Sequence, residues 1–94
     1  MEENNNKLEI YNSALNQFGI TAQQWMIVEE IGELLNAIAK QKRGRSTKED
    51  IITELADVHI MVEQMALFYG WEDFVKEKEL KLKRLENRLR KAVQ

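Results

Sequence analysis

Apolar side chains recur along this chain at intervals of three and four residues, and glycines break that rhythm at three places, leaving four amphipathic stretches. Leu8, Tyr11, Leu15 and Phe18 form the first stripe, and Gly19 reads as the residue just past a helix end. Thr21 and Gln24 have capping-box spacing and open a second helix running to about Lys42, with Ile27, Ile31, Leu34 and Ile38 on one face. Lys40, Lys42 and Arg43 fall where cations meet the negative end of that helix, just before Gly44. Ser46 and Glu49 repeat the capping spacing and start a third helix, striped by Ile51, Leu55, Val58, Val62 and Met65 and stopped by Gly70. A fourth begins at Trp71 or Glu72 and carries Phe74, Val75, Leu80, Leu82, Leu85 and Leu89, with charges of alternating sign from Lys76 to Lys91. The pattern predicts an all-α four-helix bundle. The short connection over residues 43–46 makes helices two and three an antiparallel central hairpin.

Composition sharpens this in a few respects. At 94 residues the chain reads as a single domain, 1–94, with a modest core for its surface. Proline is absent, as suits long uninterrupted helices, and the lack of cysteine excludes disulfides and thiolate metal sites. No apolar run approaches a membrane span, and the polar start Met1 to Lys7 is not a signal peptide, so the expected setting is cytoplasmic with no membrane partner. A net charge of −2 argues against binding a nucleic-acid polymer through bulk electrostatics.

The candidate chemistry lies in two acidic motifs. Glu29-Glu30-Ile31-Gly32-Glu33 falls in the second helix and Glu54-Leu55-Ala56-Asp57 in the third. Positions three apart on a helix are separated by only ~60° of rotation, so Glu30 shares a face with Glu33 and Glu54 with Asp57. Counted from the middle of the connecting loop, the two pairs differ in height by about 3 Å in an antiparallel hairpin. Each pair also borders its helix's apolar stripe. Four carboxylates converging beside a core repel one another, and a hard divalent cation with oxygen ligands relieves that repulsion. Glu29 points about 100° away, as a solvated charge or a helper that orients water.

This paired motif, EExxE followed by ExxD, resembles the signature of the MazG-like all-α NTP pyrophosphatase superfamily. The resemblance implies that Glu30, Glu33, Glu54 and Asp57 hold Mg²⁺, with Mn²⁺ as a substitute. It also implies hydrolysis of a nucleoside triphosphate to the monophosphate and pyrophosphate, with Glu29 and Glu30 as catalytic candidates and housecleaning of the nucleotide pool as a possible setting. Basic residues of the last helix hold the phosphate tail in that family, and Lys78, Lys81 and Arg84 are the candidates here. Base recognition there uses the first two helices, which points to Phe18, Trp25 and Gln23; for both aromatics, core or subunit-interface packing is the competing role.

Two other readings compete. A carboxylate-bridged di-iron bundle needs Glu-x-x-His pairs, and Asp57 stands where the histidine belongs. His59 lies about 140° from Glu54, which suits an interface or core residue instead of a ligand. A non-catalytic oligomerisation module or regulatory adaptor remains, and the long charged fourth helix suits it. Apolar residues at several rotations, among them Ile60, Leu67 and Phe68, predict a homodimer or homotetramer.

Overall fold

Three glycines with positive φ form the corners of the chain. In the computed structural model, which describes the backbone of residues 2–93 and the side chains of residues 6–93, they separate α1 (Glu2–Phe18), α2 (Ile20–Lys42), α3 (Lys48–Tyr69) and α4 (Trp71–Val93). Gly19 and Gly70 are single-residue links. At φ 84° and 139° each adopts a conformation that other residues reach only with strain. The amide of Gly19 donates to the Leu15 carbonyl (3.0 Å) and that of Gly70 to the Ala66 carbonyl (2.8 Å), so each link also closes the helix before it.

Several expected boundaries shift. The first helix starts at Glu2, ahead of the apolar stripe that begins at Leu8. Thr21 and Gln24 form no cap, because α2 has already begun at Ile20 with Gly19 at its N-cap and no side-chain bond there. The box on α3 is real but lies one residue later: Thr47 and Asp50 bond reciprocally, at 2.9 and 3.1 Å. Ser46 instead donates to the Ala37 carbonyl at 2.7 Å, tying the connecting loop back onto α2.

The α2–α3 hairpin is antiparallel and provides the most extensive packing, with α1 laid against both helices. Its register is constant. Gln23 on α2 meets Gln64 on α3, Glu33 meets Glu54, and the same alignment sets Glu30 opposite Asp57 and Met26 opposite Met61. Tyr11, Ala37, Met61 and Ala66 are the buried apolar residues, and no large side chain among the described residues is fully enclosed. Between α1 and α3 a polar clasp does much of the holding: Tyr11 donates to Glu63 at 2.7 Å and Lys7 to the other oxygen at 3.1 Å. These bonds hold the Glu63 carboxyl below its usual range despite burial, while burial and Glu63 push the Tyr11 phenol up to about 12. Tyr11→Phe is therefore expected to cost about 1.5–3 kcal/mol, the usual range for a hydrogen bond to a charged group. Thermal melts should show this as a loss of roughly 4–8 °C per kcal/mol. An unchanged melt would mean the clasp contributes little.

The four helices form the expected all-α bundle, in which α4 packs on the rest only through its first turn. Trp71 and Phe74 anchor its first turn, with the Lys7 ammonium 5.9 Å from the Trp71 ring centre, but every residue from Val75 to Val93 is exposed. The radius of gyration, 16.4 Å, exceeds the roughly 12 Å of a globule this long for the same reason. Val28, Leu35, Ile52 and Leu55 are also at least half exposed, so apolar area is left open on α2 and α3 as well.

Candidate metal centre

The hairpin register brings carboxylates from both helices to one place. One oxygen each from Glu30, Glu33 and Glu54 lies within 4.8 Å of the others. Glu30 and Glu54 are half-buried, and each has one oxygen that is both shielded from solvent and without a hydrogen-bond partner. A buried, unpartnered carboxylate oxygen is costly and needs a donor or a cation. All the charged groups that act on these two residues are themselves carboxylates. Burial pushes the Glu30 carboxyl above its ordinary 4.5, and Glu33, Asp57, Glu54 and Glu29 add to the shift in that order. Glu54 is raised by burial, then by Glu33, Asp57 and Asp50. Oxygen donors at this spacing form a donor set able to bind a divalent cation.

Asp57, expected as the fourth ligand, stands apart from this trio. It is close enough to raise both Glu30 and Glu54, and like Glu30 it lines the neighbouring cavity. Glu29 is exposed beside Glu30. Lys78, Lys81 and Arg84 are exposed on α4, and Lys81 pairs along its own helix with Glu77 at 3.8 Å. Trp25 is 66% exposed, so it packs in no core of this chain. His59 is exposed too, and faces Glu63 at 3.4 Å instead of entering the core.

Along the same seam, toward the α1 end, lies a cavity of about 430 Å³. Phe18, Met26, Ile60 and Met61 give it apolar walls, and Glu30 and Asp57 line it as well. Two buried amides also face it: Gln64 donates to the Gln23 side-chain oxygen, and both residues are under a tenth exposed. Of the three base-reading candidates, Phe18 and Gln23 are in this wall and Trp25 is not. Gln64 was missed. It lies seven residues after Asp57 on the same helical face, the relation by which Gln23 precedes Glu30, so the period carried the signal. Gln64→Leu should destabilise the fold by about 1–3 kcal/mol by orphaning the Gln23 amide. The Gln23→Leu/Gln64→Leu double variant should recover most of that loss in thermal melts; equal loss in both would show that the amide pair is not what matters.

A second cavity, about 370 Å³, opens on the other side of the cluster, toward the loop. Glu33 and Glu54 line it together with Lys40, Arg45, Asp50, Asn36 and Thr53. The seam therefore runs from amides through an apolar cavity to carboxylates and then to cations. Among the described residues, no helix is long and apolar enough to cross a membrane. Comparison with family models, with curated proteins and with solved structures gave no match.

Proposed function

We propose that this chain is one MazG-like domain, 1–94, that hydrolyses a nucleoside triphosphate to the monophosphate and pyrophosphate with Mg²⁺. The observation that carries the reading is the placement of a ligand-sized cavity directly against the three-carboxylate cluster, with two carboxylates, Glu30 and Asp57, in its wall. The cavity joins apolar surface with a few convergent polar groups, as a nucleoside site does. From Gln23 to Glu30 is seven residues, about 10 Å along α2, a span that in this reading separates amides contacting the base from the end that holds the cation.

Glu30, Glu33 and Glu54 would hold the ion, with Asp57 adjoining. When bound, a divalent ion supplies positive charge that offsets the phosphates and lowers the pKa of water. In this reading Glu29, exposed beside Glu30 and outside the trio, would accept the proton of the attacking water. Water adds at the α-phosphorus, the α–β bridging bond breaks, and pyrophosphate departs; in-line geometry and electrostatics are most of what the protein must provide. Nucleotide-pool housecleaning in the cytoplasm is the setting this reading suggests.

A screen for pyrophosphate release over ordinary and modified ribo- and deoxyribonucleotides with Mg²⁺ tests it. At least one nucleotide should turn over; none doing so, in folded protein, would end the hydrolase reading. A regulatory adaptor is the second reading, and the free α4 favours it. An adaptor should melt at the same temperature with and without Mg²⁺.

A further inference from the structure

The loop-side cavity contains the cations that the cluster lacks. Lys40, near the end of α2, and Arg45, in the connection to α3, both line it, and among the described residues neither is in an ion pair. Lys40 is seven residues beyond Glu33, about 10 Å along the helix, and helical side chains lean toward the N-terminus, here toward the cluster. Asn36 adds a neutral amide donor, while the Ser46 and Thr53 hydroxyls in the same wall already donate to the Ala37 and Glu49 carbonyls. Asp50, which lines this end of the cavity, is occupied by the Thr47 amide, which together with Lys40 holds its carboxyl below the usual range. We infer that Lys40 and Arg45 bind the outer phosphates of the substrate, the part released as pyrophosphate. This rests on the proposed hydrolase reading, and it moves the phosphate grip from α4 to the loop end of the hairpin.

The probe is inorganic pyrophosphate, titrated calorimetrically with Mg²⁺ present against the wild type and the Lys40→Gln/Arg45→Gln variant. Each lost cation should weaken binding about tenfold or more. The thermal response to Mg²⁺ alone should stay as in the wild type, and Lys40→Arg should retain most of the affinity. Equal affinity in the double variant, or no binding by the wild type, overturns the inference. The hydrolase reading fails by a different result, the absence of turnover with every nucleotide.

An independent observation concerns α4. From Val75 a heptad seam can be traced, with Val75, Leu82 and Leu89 at one position and Lys78, Leu85 and Ala92 at the other; Leu80 and Val93 lie off it. Glu79 and Glu86 flank the seam on one side, Lys81 and Arg88 on the other. The geometry points to a second copy of this chain as the occupant, with the two α4 helices parallel. Parallel pairing sets Lys81 against Glu86 of the second copy, twice by symmetry, whereas antiparallel pairing sets Lys81 against Arg88 and Glu79 against Glu86. The present partners of Lys81 and Glu86, Glu77 and Arg90, are exposed pairs along the same helix and exchange readily.

Sedimentation should give twice the 11.1 kDa chain mass, rising with concentration, and Leu85→Asp/Leu89→Asp should return it to one. Lys81→Glu should also weaken the dimer, and Lys81→Glu/Glu86→Lys should restore it. Because the chain has no cysteine, Ala92→Cys should oxidise cleanly to a covalent dimer only if the helices are parallel. A wild-type monomer, a mass indifferent to these changes, or a Leu85→Asp defect confined to binding of lipid vesicles overturns the assignment.

Discussion

Glu33→Gln should abolish the thermal stabilisation by Mg²⁺ and lower pyrophosphate release by at least about 100-fold, the upper end of what residues merely supporting a metal ligand contribute. The same change should raise the melting temperature of the metal-free protein by a few degrees. Both effects come from one cause. Glu33 is the largest charge acting on Glu30 and on Glu54, after burial itself, and its oxygen completes the group lying within 4.8 Å. Making it neutral removes repulsion from the empty cluster and removes a ligand charge from the filled one. Glutamine keeps the shape, so a folding defect is not expected. A variant that still gains stability from Mg²⁺ as the wild type does would remove Glu33 from the site, and a variant that melts lower without metal would contradict the repulsion argument.

The hairpin and its acidic cluster were legible because two simple quantities decide them, rotation per residue and rise per residue. The same arithmetic placed Gln23 on the Glu30 face and would have placed Gln64 on the Asp57 face. Rotation alone could not separate Asp57 from the trio, since a small displacement decides whether a carboxylate oxygen comes within reach of the other three. Capping was less legible. Ser46 and Thr47 are both good caps with an acid three residues on, and only the path of the loop, fixed by the Ser46 bond to Ala37, selects Thr47. At the start of α2 the N-cap residue is Gly19, which has no side chain to bond, so the helix opens without a side-chain cap. The stripes on α2 and α4 marked apolar faces correctly but could not say what covers them. Trp25 and Leu89 look like core residues in a sequence, and nothing among the described residues buries them.

The metal-free protein should lose stability as pH rises from about 4.5 toward neutrality, and Mg²⁺ should remove that loss. Glu30 and Glu54 have folded-state pKa values raised above the ordinary 4.5. A raised carboxyl binds its proton more tightly in the folded state, so its contribution is fully present below the unfolded value and disappears as pH climbs through the folded one. Glu63 works in the opposite direction. Its pKa is lowered by Tyr11 and Lys7, so its contribution is present above 4.5 and lost on acidification. Melting temperature in chelator should therefore peak in weak acid, falling on the acid side through Glu63 and on the neutral side through the cluster. Glu63→Gln should flatten the acid limb alone, and Glu54→Gln the neutral limb alone. With Mg²⁺ the neutral limb should level, because the ion competes with protons for the same oxygens and gains as they leave. A chelated protein whose melting temperature holds or rises up to pH 8 would mean that Glu30 and Glu54 are not strained by burial and the carboxylates around them, and the reason for placing a cation there would be gone.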